Sequence, residues 1–361
     1  MSATLITGAT GFLGAVVADA LLERGERVVA LVRAGDDAAA ELRMDEALAA
    51  LHGDRPAPGR VRLQAVCGDL TAPRLGLRAA DRDRLRGEVT AIVHCGASIS
   101  FDLPLDEARA VNVGGTCEVL ELAAALDEVP RLVHVSTAYV AGRGTGIAPE
   151  AGPPPAGHDF RNTYEQTKAE AERLLQDSGL PAAVARPSIV VGETGSGWTS
   201  AFNVLYWPLQ AFARGLLDVV PGDPDGVVDT IGVDAVAAGI VALLDDPAAV
   251  GVHTLAAGPR AATVADLARE GSRALGRPAP RFSDAADLGG AGEVYVPYFD
   301  VASRFATDRG DALLARTGVP RPPLGEHLDA LVAFAQATRW GRRPISRAQA
   351  RAAAREQALA A

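Results

Sequence analysis

Tyr164 and Lys168 are the two side chains in this sequence whose types and spacing best suit acid–base chemistry. They lie four residues apart in a segment with helical periodicity, so both project from one face of the predicted helix. A tyrosine with its ordinary pKa of about 10 transfers protons poorly at neutral pH, but a neighbouring ammonium favours the phenolate and lowers that pKa. The spacing therefore predicts a proton-transfer pair in which Lys168 tunes Tyr164.

A hydroxyl side chain precedes this helix at the end of a predicted strand. The strand at 131–136 runs into Ser136 and Thr137. Because the carboxyl edge of a parallel sheet faces the crevice where ligands bind, either hydroxyl can meet Tyr164 and Lys168 there. We expect three groups that polarise a carbonyl and move a proton to converge at this edge.

Glycines at positions 8, 11 and 14 follow an apolar strand at 3–7 and open a predicted helix at 12–24. In such a turn the first glycine permits a tight bend, the second lets the backbone approach a pyrophosphate, and the third lets the helix pack on the strand. The free N–H groups of the helix N-terminus stabilise the anion. The pattern predicts a dinucleotide site, and an ordinary glycine turn is the alternative.

Arg33 stands at the end of the second predicted strand, where an NAD-binding protein would carry an acidic residue. A guanidinium there can pair with a 2′-phosphate and stack on adenine, which favours NADPH over NADH. Arg43 on the next helix can add a second phosphate contact. The alternatives are solvated surface charges for both arginines, and the neighbouring Asp36 and Asp37 complicate the preference for a phosphate.

Thr137, Tyr164 and Lys168 together resemble the Ser/Thr–Tyr–Lys triad of the extended short-chain dehydrogenase/reductases. Matching Gly142 to the family's glycine after this strand selects Thr137 over Ser136. The resemblance implies that Asp69 contacts adenine, and that further residues line the ribose and support the lysine. With the glycine turn and the two arginines, the predicted cofactor contacts are Gly8, Thr10, Gly11, Phe12, Leu13, Gly14, Arg33, Arg43, Asp69, Leu70, Cys95, Gly96, Ala97, Asn112, Tyr164, Lys168, Pro187, Ser188 and Ile189.

Several segments look more narrowly like the branch that contains fatty acyl-CoA reductases and the terminal thioester reductases of carboxylic acid reductases and of peptide or polyketide synthetases. The likeness covers about residues 1–255 and is weak beyond them. The segments are Leu31-Val32-Arg33-Ala34, His94-Cys95-Gly96-Ala97-Ser98-Ile99-Ser100-Phe101, Asn112-Val113-Gly114-Gly115-Thr116, His134-Val135-Ser136-Thr137-Ala138-Tyr139-Val140-Ala141-Gly142 and Arg186-Pro187-Ser188-Ile189-Val190-Val191-Gly192.

This resemblance implies NADPH-dependent reduction of an acyl thioester to an aldehyde, and a second hydride transfer could take the aldehyde to an alcohol. Thr137 and Tyr164 would bind the carbonyl oxygen while Lys168 holds the nicotinamide ribose. Because the chain starts directly with its first strand, the substrate is expected in trans, on coenzyme A or a carrier protein. The alternatives are a ketone, aldehyde or hydroxysteroid-type dehydrogenase, a sugar-nucleotide epimerase, and a cofactor-binding regulator without enzyme activity.

Cys95, His94 and His134 are interpreted as structural residues. Cys95 follows an apolar strand without an evident activating partner, so a small wall residue is preferred to a covalent nucleophile. The two histidines end strands and lack the spacing of zinc ligands, so no metal site is predicted. An aromatic patch fits either a helix packing face or an acyl pocket. Its members are Trp198, Phe202, Tyr206, Trp207 and Phe212.

The elements that must position these groups alternate along the chain. Strands are predicted at 3–7, 27–32, 61–66, 90–94, 131–136 and 182–186, and helices at 12–24, 37–51, 105–127 and 163–178. This alternation predicts an α/β fold, a doubly wound parallel Rossmann sheet, with a smaller and mostly helical C-terminal cap that binds substrate. The Gly- and Pro-rich stretch 142–157 is predicted to be a surface loop.

The domain organisation follows from the same pattern. We expect an NADP-binding domain over 1–195, whose sheet is completed by residues within 227–256, and a cap over 196–226 and 257–340. A strand is predicted near 227–231, and further helices near 233–245 and 263–275. The basic stretch 341–361 is either a docking tail for an acidic carrier protein or coenzyme A, or a solvated terminal helix.

Composition narrows the class of protein further. The formal charge of −10 on 361 residues argues against general nucleic-acid binding. Apolar runs fall short of the roughly 18 residues of a membrane-spanning helix, and the early first strand leaves no room for a signal peptide, so a cytoplasmic location is expected. Cys67, Cys95 and Cys117 are odd in number and have apolar neighbours, which predicts buried, reduced thiols.

Overall fold

The computed structural model describes residues 2–202, 204–283, 295 and 297–360. Its helices are Phe12–Glu23 (α1), Asp37–His52 (α2), Ala79–Glu88 (α3), Leu105–Arg109 (α4), Gly115–Ala125 (α5), Thr163–Asp177 (α6), Tyr206–Ala213 (α7), Val233–Asp245 (α8), Val264–Leu275 (α9), Asp308–Ala315 (α10), Leu324–Ala337 (α11) and Arg347–Ala360 (α12). Its strands are Ala3–Thr7 (β1), Val28–Val32 (β2), Leu63–Cys67 (β3), Val89–His94 (β4), Arg131–Val135 (β5), Gly146–Ala148 (β6), Ala182–Pro187 (β7), Ile189–Val191 (β8), Val219–Val220 (β9), Val227–Val228 (β10), Thr230–Gly232 (β11), Gly251–Leu255 (β12), Ala262–Thr263 (β13), Arg281–Phe282 (β14) and Ser303–Phe305 (β15).

Seven parallel strands form the central sheet, in the order β12-β7-β5-β4-β1-β2-β3. The chain builds outward from β1 on one side and then returns to add β4 on the other. The strand order therefore reverses between β1 and β4, and this reversal opens a crevice beyond the carboxyl ends of the strands. The predicted doubly wound α/β fold is confirmed.

Both faces of the sheet are covered by helices because its strands are apolar on both faces. In β1, Ile6 packs with Val16 of α1 and Ile240 of α8, whereas its neighbour Leu5 belongs to a second cluster that includes Val119 of α5. A strand buried on both sides reads as a continuous apolar run, which is why these strands could be recognised from the sequence.

A separate apolar cluster joins three helices of the C-terminal region. Leu209 of α7, Leu267 of α9 and Leu331 of α11 are all buried in it. Four two-stranded ribbons flank these helices and the sheet, pairing β8 with β11, β10 with β13, β9 with β14 and β6 with β15. The predicted helical character of the C-terminal region is confirmed.

Two predicted elements differ from the structure. The single helix expected over 105–127 is divided into α4 and α5 by a π-helical turn at Ala110–Gly114. The strand expected near 227–231 does not enter the central sheet, because its two halves pair with β8 and β13 instead; β12 supplies the seventh strand.

The stretch 142–157 is more than a surface loop. Its β6 pairs with β15, and the carboxylate of Glu150 accepts hydrogen bonds from the backbone N–H groups of Thr254 at 2.6 Å and Gly310 at 2.8 Å. The loop therefore joins the sheet edge to the start of α10.

The C-terminal helix α12 packs back against α1 and the segment that follows β8. Residues 347–360 are therefore neither a free tail nor a fully solvated helix. Arg347 at its start is 8% exposed. Its Nε lies 2.7 Å from Glu193 Oε1 and its guanidinium lies 3.3 Å from Asp19 Oδ2 on α1. Arg351 adds a second ion pair to Glu193, at 2.5 Å, and His52 of α2 lies 2.7 Å from the other oxygen of Asp19.

The three cysteines are free thiols, but the prediction that all are buried is wrong. Cys117 is exposed on α5, and Cys67 and Cys95 are partly exposed. Across the described ranges, no helix combines the length and the apolar character needed to cross a bilayer.

Candidate active site

The turn between β1 and α1 has the geometry of an anion cradle. Gly8 adopts a φ of +72°, and a Cβ on it would lie 2.7 Å from the backbone nitrogen of Gly96. A Cβ on Gly14 would lie 2.2 Å from the Gly8 carbonyl oxygen, so only glycine lets α1 approach this closely. Gly11 is exposed and begins α1 without a side-chain cap. The N–H groups of the first helical turn are thus left for a ligand, which fits a pyrophosphate.

The predicted neighbours of this turn lie around its rim. Thr10, Phe12 and Leu13 are partly exposed on either side of Gly11. Leu70 packs against Gly96 from across the crevice, since a Cβ on Gly96 would lie 2.7 Å from its Cδ1 atom. The rim therefore gathers residues that follow β1, β3 and β4.

Asp69 and Ala97 are further predicted contacts on this edge. Asp69 is partly exposed, and its carboxylate accepts hydrogen bonds from the backbone and hydroxyl of Thr71, each at 2.8 Å. One oxygen of Asp69 is thus fixed and the side chain is held at the end of β3. Ala97 is partly exposed in the segment that follows β4.

The arginines predicted to read a 2′-phosphate lie together beyond the end of β2. Arg33 and Arg43 are both exposed, and the Arg43 guanidinium donates a hydrogen bond to the Arg33 carbonyl. The two nearby acids are occupied elsewhere. Asp36 caps α2 by accepting from Ala39 N at 2.8 Å, and Asp37 accepts from Cys67 N at 2.9 Å and pairs with Arg78. Because both carboxylates are engaged in other contacts, Asp36 and Asp37 weigh less against a phosphate beside Arg33 than the sequence suggested.

Thr137, rather than Ser136, meets the tyrosine. The Thr137 side chain lies close enough to the Tyr164 hydroxyl to oppose the rise in the pKa of the phenol, and its Oγ1 accepts from the backbone of Tyr139 at 3.2 Å. The Ser136 hydroxyl is buried and has no hydrogen-bond partner in the described part of the chain. Ser136 and Thr137 are the two residues that directly follow β5, which ends at Val135, and both are buried.

Lys168 lies one turn further along α6 and is buried. Its Nζ donates to the Val135 carbonyl at 2.7 Å and lies 3.4 Å from His134 Nε2. Burial lowers the pKa of Lys168 to about 8, with Cys95 and Glu172 opposing the shift. The ammonium is therefore held directly behind the end of β5.

The expected lowering of the tyrosine pKa by Lys168 is not found. Burial raises the pKa of Tyr164 and outweighs the opposing hydrogen bond from Thr137. The reason is geometric, since the Lys168 ammonium is directed to the Val135 carbonyl rather than to the phenol. At neutral pH Tyr164 is accordingly a neutral phenol, the form that donates a proton.

Both histidines near this lysine are neutral. Burial, with the charge of Lys168, lowers the pKa of His94 to about 3 and that of His134 well below its usual range. The Thr7 hydroxyl lies 2.7 Å from His94 Nδ1, and His94 Nε2 lies 3.1 Å from the Thr116 hydroxyl, which bonds the Asn112 carbonyl. These partners assign the proton to Nε2. In the described ranges, no group of three His, Cys, Asp or Glu side chains could hold a metal ion.

Asn112 ties the segment after β4 to the catalytic helix. It sits in the π-helical turn, accepts from Ser98 N at 2.8 Å and donates to the Ser98 carbonyl at 3.1 Å. The same amide nitrogen donates to Thr167 on α6 at 2.9 Å, directly before Lys168. The π turn is what aims this side chain, as such turns often do at functional sites.

Cys95 has the character of a wall residue. Burial raises the pKa of its thiol to about 11, with Lys168 acting weakly against the shift. A thiol with such a pKa is protonated at neutral pH and is a poor nucleophile.

Pro187, Ser188 and Ile189 mark the point where the chain leaves the sheet. Ser188 N donates to the Leu255 carbonyl at 3.0 Å, and Ile189 N donates to the Asp229 carbonyl at 3.2 Å. The first two residues are buried and Ile189 is partly exposed. The backbone thus crosses from β7 to the β8–β11 ribbon at this point.

A buried polar group next to Tyr164 was missed from the sequence. The carboxylate of Glu165 is fully buried and accepts from Tyr298 Oη and from Arg161 N, both at 3.0 Å. Asn162, which caps α6, donates to the same Tyr298 hydroxyl at 2.9 Å. The only sequence signal was Asn162 three residues before Glu165, the pattern of a capped helix start.

Comparison with known proteins places this site in a family. The profile of the male sterility protein family, an NAD-binding domain, matches residues 6–240. A fatty acyl-CoA reductase 1 from Xenopus laevis is 31% identical over 269 residues, which are 64% of this chain and 52% of that protein. An isonitrile lipopeptide synthase from Streptomyces coeruleorubidus is 38% identical over 215 residues, 57% of this chain and 14% of that protein.

The fold agrees with a solved reductase domain over nearly its full length. The terminal R domain from the myxalamid PKS-NRPS biosynthetic pathway superposes with a TM-score of 0.81 at 26% identity, covering 96% of this chain and 93% of that one. The chain spans about half the length of the fatty acyl-CoA reductases that it matches. The resemblance seen in the sequence is thereby confirmed: the chain belongs to the male sterility protein family of NAD-binding domains, within the thioester reductase and fatty acyl-CoA reductase branch of the extended short-chain dehydrogenase/reductases.

Proposed function

We propose that this protein is an NADPH-dependent reductase that converts an acyl thioester, carried by coenzyme A or by a carrier protein, to an aldehyde, which a second hydride transfer can take on to an alcohol. The observation that carries the proposal is the convergence of Thr137 and Tyr164 at the carboxyl edge of the sheet, with Lys168 one helical turn away and bonded to the Val135 carbonyl at 2.7 Å. The similarity to a fatty acyl-CoA reductase and to the terminal R domain of a PKS-NRPS pathway supports reduction of an acyl thioester here.

The triad residues act on the carbonyl group of the thioester. Thr137 and Tyr164 donate hydrogen bonds to the carbonyl oxygen, where negative charge develops as the carbon is reduced. When bound, the nicotinamide supplies the hydride. Tyr164, kept as a neutral phenol by burial, gives its proton to that oxygen. The C–S bond of the resulting hemithioacetal then breaks, the sulfur leaves as a thiol, and the aldehyde carbonyl forms.

Lys168 has two roles in this proposal. As an ammonium it holds the nicotinamide ribose, and its positive charge stabilises the phenolate that remains after Tyr164 has donated its proton. Its position behind Val135 keeps it out of contact with the thioester carbonyl. We therefore assign it to the cofactor and to the phenol, with no direct bond to substrate.

The preference for NADPH is assigned to Arg33 and Arg43. Both guanidinium groups are exposed at the end of β2, where the adenosine ribose lies in a dinucleotide fold. A hydrogen bond to a charged group contributes about 1.5–3 kcal/mol. We expect Arg33→Ala to weaken NADPH binding by about tenfold or more and to leave NADH binding unchanged. Equal losses for both cofactors in calorimetric titrations would contradict this assignment.

The decisive test is an assay of NADPH oxidation with acyl-CoA, acyl-carrier, aldehyde, ketone and sugar-nucleotide substrates, with identification of the products. Tyr164→Phe should fold and bind NADPH but lose about 10²–10³ in turnover, as expected for removal of one oxyanion donor. Reduction of ketones or turnover of sugar nucleotides, with none of thioesters and aldehydes, would refute the proposed function. A Tyr164→Phe variant with full turnover would refute the assigned role of the phenol.

A further inference from the structure

A row of partly exposed aromatic rings leads away from Tyr164. The Phe101 ring lies 5.9 Å from the Tyr164 ring, Tyr295 lies 6.1 Å from Phe101, and Trp207 lies 6.0 Å from Tyr295. The four side chains come from different parts of the chain: α6, the segment after β4, the segment before β15, and α7. Residues that distant in sequence form a continuous apolar surface only in the folded protein. We call these four rings the aromatic wall.

The inner end of the aromatic wall is fixed to the catalytic helix. Tyr298 stacks on Phe101 at a centroid distance of 5.0 Å and an angle of 24°. The Tyr298 hydroxyl donates to the buried carboxylate of Glu165 at 3.0 Å, and Glu165 directly follows Tyr164. Thr163 on the same helix donates to the Leu103 carbonyl at 2.9 Å, which secures the segment that carries Phe101. Phe101 therefore holds a constant position relative to the catalytic phenol.

The outer end of the aromatic wall belongs to the helical cap. Tyr206 and Leu209 of α7 are buried in the cap's apolar cluster, whereas Trp207 lies between them in sequence and is partly exposed. Packing within the cap therefore does not account for the Trp207 side chain, whose ring meets Tyr295 instead. Each step from Tyr164 to Trp207 is about 6 Å, so only a long substituent on the reacting carbonyl reaches Trp207.

We propose that the aromatic wall binds the acyl group of the substrate and that its two ends discriminate between different parts of it. Phe101 contacts the atoms next to the carbonyl, and Trp207 contacts the distal part of a long apolar acyl group. The inference rests on the proposed thioester reduction, because the carbonyl must lie at Thr137 and Tyr164 for the wall to run along the acyl group. Phe101 and Trp207 are thus specificity-determining residues.

The consequence for specificity is a dependence on acyl length that Trp207 controls. Burial of one methylene group on an apolar surface corresponds to about a fourfold gain in affinity, and a large aromatic side chain covers several such groups. Wild-type kcat/KM should rise from acetyl-CoA through hexanoyl-CoA to dodecanoyl-CoA. Trp207→Ala should lower kcat/KM for dodecanoyl-CoA by about tenfold or more and leave acetyl-CoA unaffected.

Two further variants separate local packing from selectivity. Trp207→Phe keeps an aromatic ring and should retain most of the activity on dodecanoyl-CoA. Phe101→Leu should lower kcat/KM for all three thioesters, because every substrate passes that position. Binding of NADPH by each variant, measured by calorimetry, checks that the nucleotide domain is folded. Equal loss of activity on all three substrates in Trp207→Ala, or a wild-type enzyme indifferent to chain length, would overturn the inference.

A binding experiment keeps this inference distinguishable from the proposed function. Dodecyl-CoA, a thioether without a carbonyl group, can bind the wall but cannot be reduced. If no thioester is turned over but Trp207→Ala weakens dodecyl-CoA binding about tenfold, the proposed role of the aromatic wall is supported and the proposed reaction is refuted. If thioesters are reduced at rates that do not depend on acyl length, and dodecyl-CoA binds wild type and Trp207→Ala equally, the proposed reaction is supported. The proposed role of the aromatic wall is then refuted.

Discussion

Removing Arg347 tests whether the last helix is part of the folded core. The buried guanidinium joins Asp19 of α1 to Glu193, which follows β8, and so connects helix α12 to both of these segments. Arg347→Met keeps an apolar stem in place of the arginine methylenes and removes the charge and the hydrogen bonds of the guanidinium. The substitution therefore isolates the electrostatic part of this contact.

The expected loss of unfolding free energy depends on which hydrogen-bond and ion-pair partners each carboxylate keeps after the substitution. Loss of one partner from a buried ion pair costs about 3–5 kcal/mol when the remaining charge is left alone. Here Glu193 keeps Arg351 at 2.5 Å and Ser196 at 2.7 Å, and Asp19 keeps His52 at 2.7 Å. Because neither carboxylate is stranded, we expect the lower part of that range or slightly less, about 2–3 kcal/mol.

Urea unfolding of the full chain measures this loss as a lower midpoint with an unchanged m-value. The matched control is Arg355→Met, two turns further along the same helix, where the side chain is exposed and the loss should stay within about 0.5 kcal/mol. If the two variants lose the same free energy, the buried network does not stabilise the fold as argued.

The same variant has a defined pH dependence. Burial alone would raise the pKa of Glu193, but the hydrogen bond from Arg351 and the charge of Arg347 lower it below its ordinary value of 4.5. A carboxylate with a lowered pKa stabilises the fold above its unfolded pKa and loses that contribution as the pH falls through the folded value. The difference between wild type and Arg347→Met should therefore be full at pH 7 and shrink below pH 4.5.

Three other expectations concern the catalytic crevice. Because burial raises its pKa to about 11, Cys95 should be dispensable, so Cys95→Ala should retain turnover; loss of turnover with intact NADPH binding would point to a covalent role. With its pKa lowered to about 8, Lys168 should lose its charge as the pH rises through that value, so kcat/KM should fall in steady-state assays above about pH 8; a flat profile to pH 10 would contradict this. Gly14→Ala, whose Cβ would lie 2.2 Å from the Gly8 oxygen, should weaken NADPH binding in calorimetry by at least tenfold. Gly35→Ala, with open space at its Cβ, serves as its control and should bind normally.

The sheet could be predicted because its information is local. An apolar run of five or six residues that is buried on both faces, followed by a helical pattern, is enough to identify β1, β2 and β4. The glycine turn could also be recognised from a short stretch of sequence, because Gly11 and Gly14 both contact Gly8. Gly8 in turn contacts the backbone of Gly96, which follows β4. Fold and family were therefore accessible from the sequence.

What could not be predicted depends on distant partners. The small strands β10 and β11 look like one strand in the sequence, and only their partners at 262–263 and 189–191 divide them. The aromatic wall and the Arg347 network join residues separated by tens to hundreds of positions, so no spacing rule reveals them. The pKa of Tyr164 likewise depends on burial, which the spacing to Lys168 does not encode. The roles of the triad and of the cofactor contacts stay predictions.

The π-helical turn at Ala110–Gly114 makes this chain unusually intolerant of a change in length at one point. Such a turn holds one residue more than a turn of α-helix, and this extra residue sets the direction of the Asn112 side chain. Deleting any single residue there would let α4 and α5 merge into a regular helix, but it would rotate everything before the deletion by about 100°. Asn112 could then no longer reach both Ser98 and Thr167. Shortening this helix by one residue should thus be more damaging to catalysis than most substitutions along it, although the helix itself would become more regular.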